Sequence, residues 1–274
     1  MPRSLGPAFR RLLLGPYALV RAFGLDPLAM LRAIGAVPGF VGDALRYRRA
    51  AGDERFPLTL PNLRPQLADR FVSAGVAQGH YFHQDLWAAR KVFAARPARH
   101  LDVGSRIDGF VSHLLTFMEV EVVDVRSLDS GVAGLRFVQE DATDLQRFAD
   151  DSVESLSSLH AVEHFGLGRY GDPVDPSACF RALRSLARVL QPGGRLYLSV
   201  PIGLERVEFN AHRIFAPETV LQELHGLRLL SFSAVNDAGA LVAAADPRDF
   251  ASASYACGLF EFTKERVVPR DRVS

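Results

Sequence analysis

An α/β fold with a doubly wound, seven-stranded, mostly parallel sheet is the fold class that the sequence predicts. From about residue 98 onward, short apolar runs alternate with longer helix-like stretches, as in strand–helix–strand units. The chain has 274 residues, of which 48% are hydrophobic and 23% charged, and this suits one main domain with an extension. In such folds the ligand crevice lies at the carboxyl ends of the strands.

A basic, apolar extension with a proline-rich linker is predicted for residues 1–65. Residues 1–50 contain eight arginines against two aspartates, a net charge of +6. The charge-free runs 12–20 and 33–42 are shorter than the roughly 20 residues that span a bilayer. We expect a helical extension, and the sharper alternative is peripheral membrane contact of residues 1–50 through an interfacial helix on anionic lipid.

The main domain is assigned to residues 98–274, and a helical lid or cap region to residues 66–97. Strands are predicted where short apolar or alternating runs end in turn residues. The predicted strands are 100–103, 120–125, 135–138, 153–159, 195–200, 227–235 and 255–263.

The clearest helix lies between the fourth and fifth predicted strands. Asp175 can cap it, and Pro176 suits the first helical position. Phe180, Leu183 and Leu186 recur at helical spacing, which gives the helix one apolar face. A second helix is expected to begin at Pro217.

Carboxylates follow three successive strands. Gly104 closes the first strand in a turn that lets a ligand approach backbone N–H groups. Asp124 comes 22 residues after Asp102, a spacing at which an acidic residue accepts the hydroxyls of a ribose. Asp141, beside the small Ala142, is suited to bind an adenine amino group. The three strand ends together predict a nucleoside site.

These residues resemble class I S-adenosylmethionine-dependent methyltransferases of the type 11-like group. Residues 190–200 and 157–164 are similar to the corresponding family segments, and the resemblance covers about residues 98–264. It implies a Rossmann-like sheet with an antiparallel last strand, S-adenosylmethionine as cofactor, and methyl transfer to a small-molecule or glycan hydroxyl. The cofactor-binding residues it implies are Asp102, Gly104, Ser105, Arg106, Asp124, Asp141, Ala142 and His160.

Residues 79–85, 103–109 and 164–172 are similar to an uncharacterised subfamily that is often associated with polysaccharide biosynthesis. Cys179 and Cys257 form no CxxC pair, so neither a disulfide framework nor a thiolate zinc site is expected, and a reducing, cytoplasmic compartment is. An acceptor such as a lipid-linked glycan would place the enzyme at the inner face of the membrane. The net charge of +1 gives no general attraction to nucleic acid, so no nucleic-acid partner is expected.

The glycine-rich turn departs from the family pattern. Arg106 and Asp108 stand where glycines are usual, and Gly109 follows one place later. The Arg106 side chain either crowds the methionine end of the cofactor or pairs with its carboxylate.

A hydroxyl acceptor must lose its proton during methyl transfer, and a near-neutral histidine can take it. His164 or His212 is therefore expected to be the base, with Glu163 beside it. Tyr170 and Asp172 are candidates for binding acceptor hydroxyls. Tyr81 and His83 are candidates for a lid over the cofactor, and no metal site is predicted.

Four alternatives stay open. The altered glycine turn permits a non-catalytic, methyltransferase-like subunit. His160-Ala-Val-Glu163-His164 fits the inverted zinc-peptidase pattern, which requires a helix to bring both histidines to one face. His80 and His83, with Asp85, are a second candidate metal cluster. A nicotinamide-binding domain is a fourth reading, but the turn lacks G-x-G-x-x-G.

Overall fold

The computed structural model describes residues 17, 19–50 and 55–266. Residues 1–16 and 18, which carry part of the basic extension, lie outside the described residues. The chain forms two compact units, residues 1–75 and 76–274, and each is described by itself. The sequence-based boundaries at residues 65 and 97 stay predictions.

Helix α1, Pro27–Ala50, is the longest element among the described residues of the first unit. Its large apolar side chains, among them Leu31 and Ile34, are mostly exposed. By length and composition α1 is able to cross a membrane, a criterion that signal sequences and core helices of soluble proteins also meet. From the sequence, the charge-free runs were too short to span a bilayer. Helix α1 is longer because it continues through Arg32.

The second unit is built on one eight-stranded sheet in the order β3-β2-β1-β4-β5-β10-β8-β9. Strands β1 to β5 pair in parallel, and β10 lies antiparallel between β5 and β8. This confirms the predicted doubly wound sheet with its antiparallel last strand. The strands are β1 His100–Val103, β2 Val120–Asp124, β3 Leu135–Gln139, β4 Val153–Leu159, β5 Leu190–Ile202, β6 Arg206–Glu208, β7 His212–Ile214, β8 Arg228–Val235, β9 Leu241–Val242 and β10 Ala256–Thr263.

Three of these strands were not predicted. The two-residue strand β9 pairs with β8 and makes the main sheet eight-stranded instead of seven-stranded. Strands β6 and β7 form a separate hairpin. All three are too short to give a periodic apolar signal.

The helices of this unit are α2 His80–Ala95, α3 Ser112–Leu114, α4 Ala178–Val189 and α5 Pro217–Glu223, and a π-helical turn, Ile107–Val111, leads into α3. Only the second half of the predicted region 66–97 is a long helix. Asp175 accepts the backbone N–H and the hydroxyl of Ser177, each at 2.8 Å. It therefore shapes the turn before α4, which begins later than the predicted start at Pro176.

Helices cover both faces of the sheet. One hydrophobic cluster packs Leu183 of α4 and Val220 of α5 against the sheet, and a second packs Trp87 of α2 and Leu114 of α3 against its other face. Strand β5 contributes to both clusters because its side chains alternate, with Leu196 and Leu198 in the first and Tyr197 in the second. The carboxyl ends of β1 to β4 are left to border a cavity.

Candidate active site

A cavity of about 650 Å³ lies at the carboxyl ends of β1, β2, β3 and β4. This volume is in the usual range for a small-molecule site. Of the predicted site residues, the cavity is lined by Gly104, Ser105, Arg106, Asp124, Asp141, Ala142, His160, His164, Tyr81, Tyr170 and Asp172. The predicted strand-end residues therefore meet in one place.

Asp102 lies behind the cavity wall and holds the turn after β1. Its carboxylate accepts the Ser105 hydroxyl at 2.6 Å, the Ser105 N–H at 3.0 Å and the Ser157 hydroxyl at 2.5 Å. Complete burial raises the pKa of Asp102 to about 6, although these hydrogen bonds oppose the rise. Asp102 thus shapes the site without reaching its interior.

The turn itself requires glycine at position 104. Gly104 has a φ of +72°, and a Cβ there would stand 2.9 Å from the Cβ of Ala161. A larger residue would carry both backbone strain and a clash. The backbone after β1 is thereby kept open toward the cavity.

Arg106 does not plug the crevice. Its guanidinium donates to Asp108 at 3.1 and 2.9 Å, and lies 5.0 Å from the centre of the Tyr81 ring. The hydrogen bonds from Arg106 hold the pKa of Asp108 below its usual value. Arg106 and Asp108 therefore neutralise one another.

Asp124 is already engaged by a residue that the sequence analysis missed. Arg126 donates to its two carboxylate oxygens at 2.9 and 2.6 Å, and the Arg126 backbone N–H adds a third bond at 2.8 Å. The guanidinium carbon of Arg126 also lies 4.4 Å from the centre of the Tyr170 ring. Any ribose bound by Asp124 has to share or replace these hydrogen bonds.

Asp141 and Ala142 follow β3 at the same edge. One oxygen of Asp141 accepts the Thr143 N–H at 2.8 Å, and Ala142 is buried. The other Asp141 oxygen has no hydrogen-bond partner within the described residues. It is available to an amino group of a ligand.

A buried ion pair follows β4. Nδ1 of His160 lies 2.5 Å from Oε1 of Glu163, and both side chains are buried. Burial by itself would lower the pKa of His160, but Glu163 and Cys257 together outweigh this effect and raise the pKa well above its usual value. For Glu163, burial acts to raise the pKa, but His160 lowers it overall.

His164 presents a free basic nitrogen. Its Nδ1 lies 2.7 Å from the carbonyl oxygen of Ala211, so Nδ1 carries the proton and Nε2 keeps its lone pair. Burial lowers the pKa of His164, which keeps the ring neutral near pH 7. A neutral histidine at a cavity wall can accept a proton from a bound hydroxyl.

Three predicted residues have other positions or partners. His212 does not line the cavity, and its buried Nε2 has no hydrogen-bond partner within the described residues. The Asp172 carboxylate is used by its own loop, where it accepts the N–H groups of Gly166 at 2.8 Å and Tyr170 at 3.1 Å. His83 lies in a separate small pocket with Trp87, so only Tyr81 of the predicted lid pair borders the cavity.

The zinc-peptidase pattern is not realised. Residues 162–164 form a 3-10 turn and His160 has a φ of +49°, so no α-helix brings His160 and His164 to one face. Nδ1 of His160 is bound to Glu163. His80 instead lies against His160, with 3.1 Å between Nδ1 of His80 and Nε2 of His160. The predicted His80–His83 pair therefore does not form a cluster.

Parts of the chain are similar to known proteins. A family described as a Caenorhabditis protein of unknown function, DUF268, matches residues 114–242. No curated relative matches the sequence. Among solved structures, the N-methyltransferase NodS from Bradyrhizobium japonicum WM9, in complex with S-adenosylhomocysteine, is similar at 13% identity and a TM-score of 0.48, over 69% of this chain and 89% of that chain.

Two further structures are similar to the same degree. The [4+2]-cyclase SpnF has 16% identity and a TM-score of 0.48, over 70% of this chain and 87% of its own. The Burkholderia thailandensis 1,6-didemethyltoxoflavin-N1-methyltransferase has 17% identity and a TM-score of 0.45, over 71% and 94%. At such low identity the likeness concerns the fold and specifies no reaction.

Proposed function

We propose that this protein is an S-adenosylmethionine-dependent methyltransferase. The observation that supports this most is the cavity, whose wall brings Gly104, Asp124, Asp141 and Ala142 together at the carboxyl ends of β1 to β3. This is the set that a nucleoside requires: an open backbone turn, a carboxylate for ribose, and a carboxylate beside a small residue for adenine. The cofactor supplies a methyl group on a sulfonium centre.

Different residues of the chain would bind different parts of the cofactor. Asp124 would accept the ribose hydroxyls beside Arg126, whose half-exposed side chain has solvent to move into. Asp141 and Ala142 hold the adenine. Arg106 at the rim can exchange Asp108 for the carboxylate at the methionine end, because its side chain is also half exposed.

His164 is the base in this proposal. It lines the cavity, whereas His212 does not, and its Nε2 is free to accept a proton from an acceptor hydroxyl. Oε1 of the buried Glu163 lies 3.8 Å from this Nε2 and stabilises the protonated ring. Tyr170, edge-on to His164 at 5.8 Å between ring centres, is placed to orient the acceptor.

The acceptor class in this proposal is a small-molecule or glycan hydroxyl, including lipid-linked glycans of polysaccharide biosynthesis. In support of a lipid-linked acceptor, the exposed apolar side chains of α1 are suited to bind a lipid surface. The protein would then act in the cytoplasm at the inner face of the membrane.

Calorimetry with S-adenosylmethionine and S-adenosylhomocysteine tests the cofactor site. We expect wild-type binding, and at least tenfold weaker binding for Asp124→Asn and Asp141→Asn, because each loses a charged acceptor. Asp129→Asn is the matched control, since Asp129 follows the same strand, is exposed and does not line the cavity. Absence of binding to the wild-type chain would overturn the proposal.

A turnover assay tests the base. His164→Gln should lower kcat by about 10²–10⁴, the usual contribution of general base catalysis, and leave cofactor affinity unchanged. The exposed His225→Gln serves as control. Equal kcat in wild type and His164→Gln would remove His164 from the mechanism.

A non-catalytic, methyltransferase-like cofactor- or glycan-binding subunit is the second candidate function. The Arg126–Asp124 pair favours its glycan-binding form, because the carboxylate expected to bind ribose is satisfied within the chain. Binding of a glycan or of the cofactor without turnover over a panel of hydroxyl acceptors would distinguish this candidate from the enzyme.

A further inference from the structure

Three side chains of the types that bind metal ions lie close together beside the cavity, although they are far apart in the sequence. His80 is the first residue of α2, His160 follows β4, and Cys257 is the second residue of β10. Nδ1 of His80, Nε2 of His160 and Sγ of Cys257 all lie within 4.8 Å of one another. His160 and Cys257 are buried, and His80 is half-buried.

Hydrogen bonds on the far side of each ring fix which nitrogen faces the cluster. Nε2 of His80 lies 3.2 Å from the carbonyl oxygen of Tyr255, which can only accept, so the proton is on Nε2. Nδ1 of His160 in the same way donates to Glu163 at 2.5 Å. Carboxylate and carbonyl partners of this kind orient metal-binding histidines in known sites.

The inner nitrogens face one another. Nδ1 of His80 and Nε2 of His160 are 3.1 Å apart, and in the metal-free protein one proton, on Nε2 of the His160 ring that is paired with Glu163, lies between them. A metal ion that replaces this proton binds both nitrogens and the thiolate at once.

The distances suit a small, tetrahedrally coordinated ion. Two nitrogens bound to zinc at about 2.0–2.1 Å stand roughly 3.3 Å apart in that geometry, close to the observed separation. A sulfur bound at about 2.3 Å stands roughly 3.6 Å from each nitrogen, so Sγ of Cys257 has only about 1 Å to move. Its present contacts, Oε1 of Gln84 at 4.0 Å and the Gly258 carbonyl at 3.8 Å, are long and weak.

We propose that His80, His160 and Cys257 form a mononuclear site for a zinc-type divalent ion. Two imidazoles and one thiolate form a donor set that binds zinc-type ions in preference to magnesium or calcium. Three protein ligands leave a fourth position for water or for a heteroatom of a bound molecule. Because His160 also lines the cavity, the ion lies one imidazole ring from that space. The site does not depend on the methyltransferase proposal.

Cobalt(II) titration of the chelator-treated full-length protein tests this site. We expect one equivalent to bind, with intense visible bands of tetrahedral cobalt and a near-ultraviolet sulfur-to-cobalt charge-transfer band, and zinc should displace it. Cys257→Ser should remove the charge-transfer band and weaken binding at least tenfold. Cys179→Ser is the matched control, because Cys179 is the other buried cysteine and lies in the hydrophobic core.

A histidine pair gives a second comparison. His80→Ala should weaken cobalt binding at least tenfold, and His83→Ala, one turn along α2, should leave it unchanged. No charge-transfer band in wild type, or equal affinity in wild type, His80→Ala and Cys257→Ser, would overturn the site. If Cys257→Ser does not fold, X-ray absorption of the zinc-loaded wild type decides: one sulfur at about 2.3 Å supports the site, and nitrogen or oxygen ligands alone refute it.

Discussion

At the scale of single residues, the region under the cavity is organised by a buried polar chain. Nε2 of His100 lies 2.9 Å from the Ser157 hydroxyl, which in turn donates to Asp102. The second nitrogen of His100 lies 2.7 Å from the hydroxyl of Ser155. Each buried polar group thus has a partner, and this keeps the cost of burying the groups low.

His100 and Asp102, the two titratable groups of this hydrogen-bonded network, should have opposite effects on how the free energy of unfolding changes with pH. Burial lowers the pKa of His100 from 6.5 to about 3. Between those values the unfolded chain binds a proton that the folded chain does not, so His100 makes the free energy of unfolding fall as the pH falls. Burial raises the pKa of Asp102 from 3.8 to about 6, so Asp102 makes the free energy of unfolding fall as the pH rises from about 4 to 6.

Urea unfolding of Asp102→Asn and His100→Gln at pH 7 and pH 5 should therefore shift in opposite directions. Asp102→Asn should lose more stability than wild type on going to pH 5, by about 1 kcal/mol, and His100→Gln should lose less. The exposed His225→Gln should behave as wild type. Identical pH dependence in all four proteins would contradict this assignment.

At the scale of elements, Glu261 of β10 ties α2 to the sheet. Its buried carboxylate accepts Lys91 of α2 at 2.6 Å, Ser231 of β8 at 2.7 Å and Arg195 of β5 at 2.6 Å. The first residue of α2 is His80, so this attachment also sets the position of one proposed metal ligand. The outer part of the sheet and the helix are therefore held by charge as well as by packing.

Removing that carboxylate should loosen the attachment of α2. Glu261→Gln should lower the free energy of unfolding by about 1–3 kcal/mol, because two cations lose their partner but remain partly solvated. Glu265→Gln, at an exposed ion pair with Arg228, should cost less than about 0.5 kcal/mol. Urea denaturation measures both, and equal losses would show that Glu261 acts as an ordinary surface charge.

Element by element, the predictable part of the fold is the part with periodic apolar side chains. The alternation of Leu196, Tyr197 and Leu198 predicts β5, but not its early start at Leu190. Residues 191–194 have the composition of a turn, yet Leu190 pairs with Val153 across a register shift. That pairing depends on another strand and cannot be read locally.

The candidate site also has one part that the sequence predicts and another part that depends on the tertiary fold. Strand ends predict Gly104, Asp124 and Asp141, because parallel topology brings carboxyl ends together. His80 and Cys257 could not be paired from the sequence, since they lie 177 positions apart and Cys257 is the second residue of an ordinary apolar strand. Arg126 was missed although it follows Asp124 by two residues, because such pairs are common on surfaces.

At the scale of the whole molecule, the exposed apolar face of α1 belongs to a different compact unit from the cavity. If that face binds lipid, Leu31→Glu and Ile34→Glu should abolish sedimentation of the full-length protein with anionic vesicles, because each places a charge where apolar surface is buried. Val174→Glu, an equally exposed apolar position in the second unit, is the control. Unchanged sedimentation of the α1 variants would end the membrane proposal.

The Arg126–Asp124 pair would turn the capture of a ribose into a partial exchange. A sugar hydroxyl that takes a lone pair now used by the guanidinium must first break a charge-assisted bond, so part of the contact energy is cancelled on entry. The guanidinium already lies over the Tyr170 ring and is half exposed, so it would keep this aromatic partner when its bond to Asp124 breaks. Its positive charge would then stay at the cavity wall, where it would attract a negatively charged second ligand.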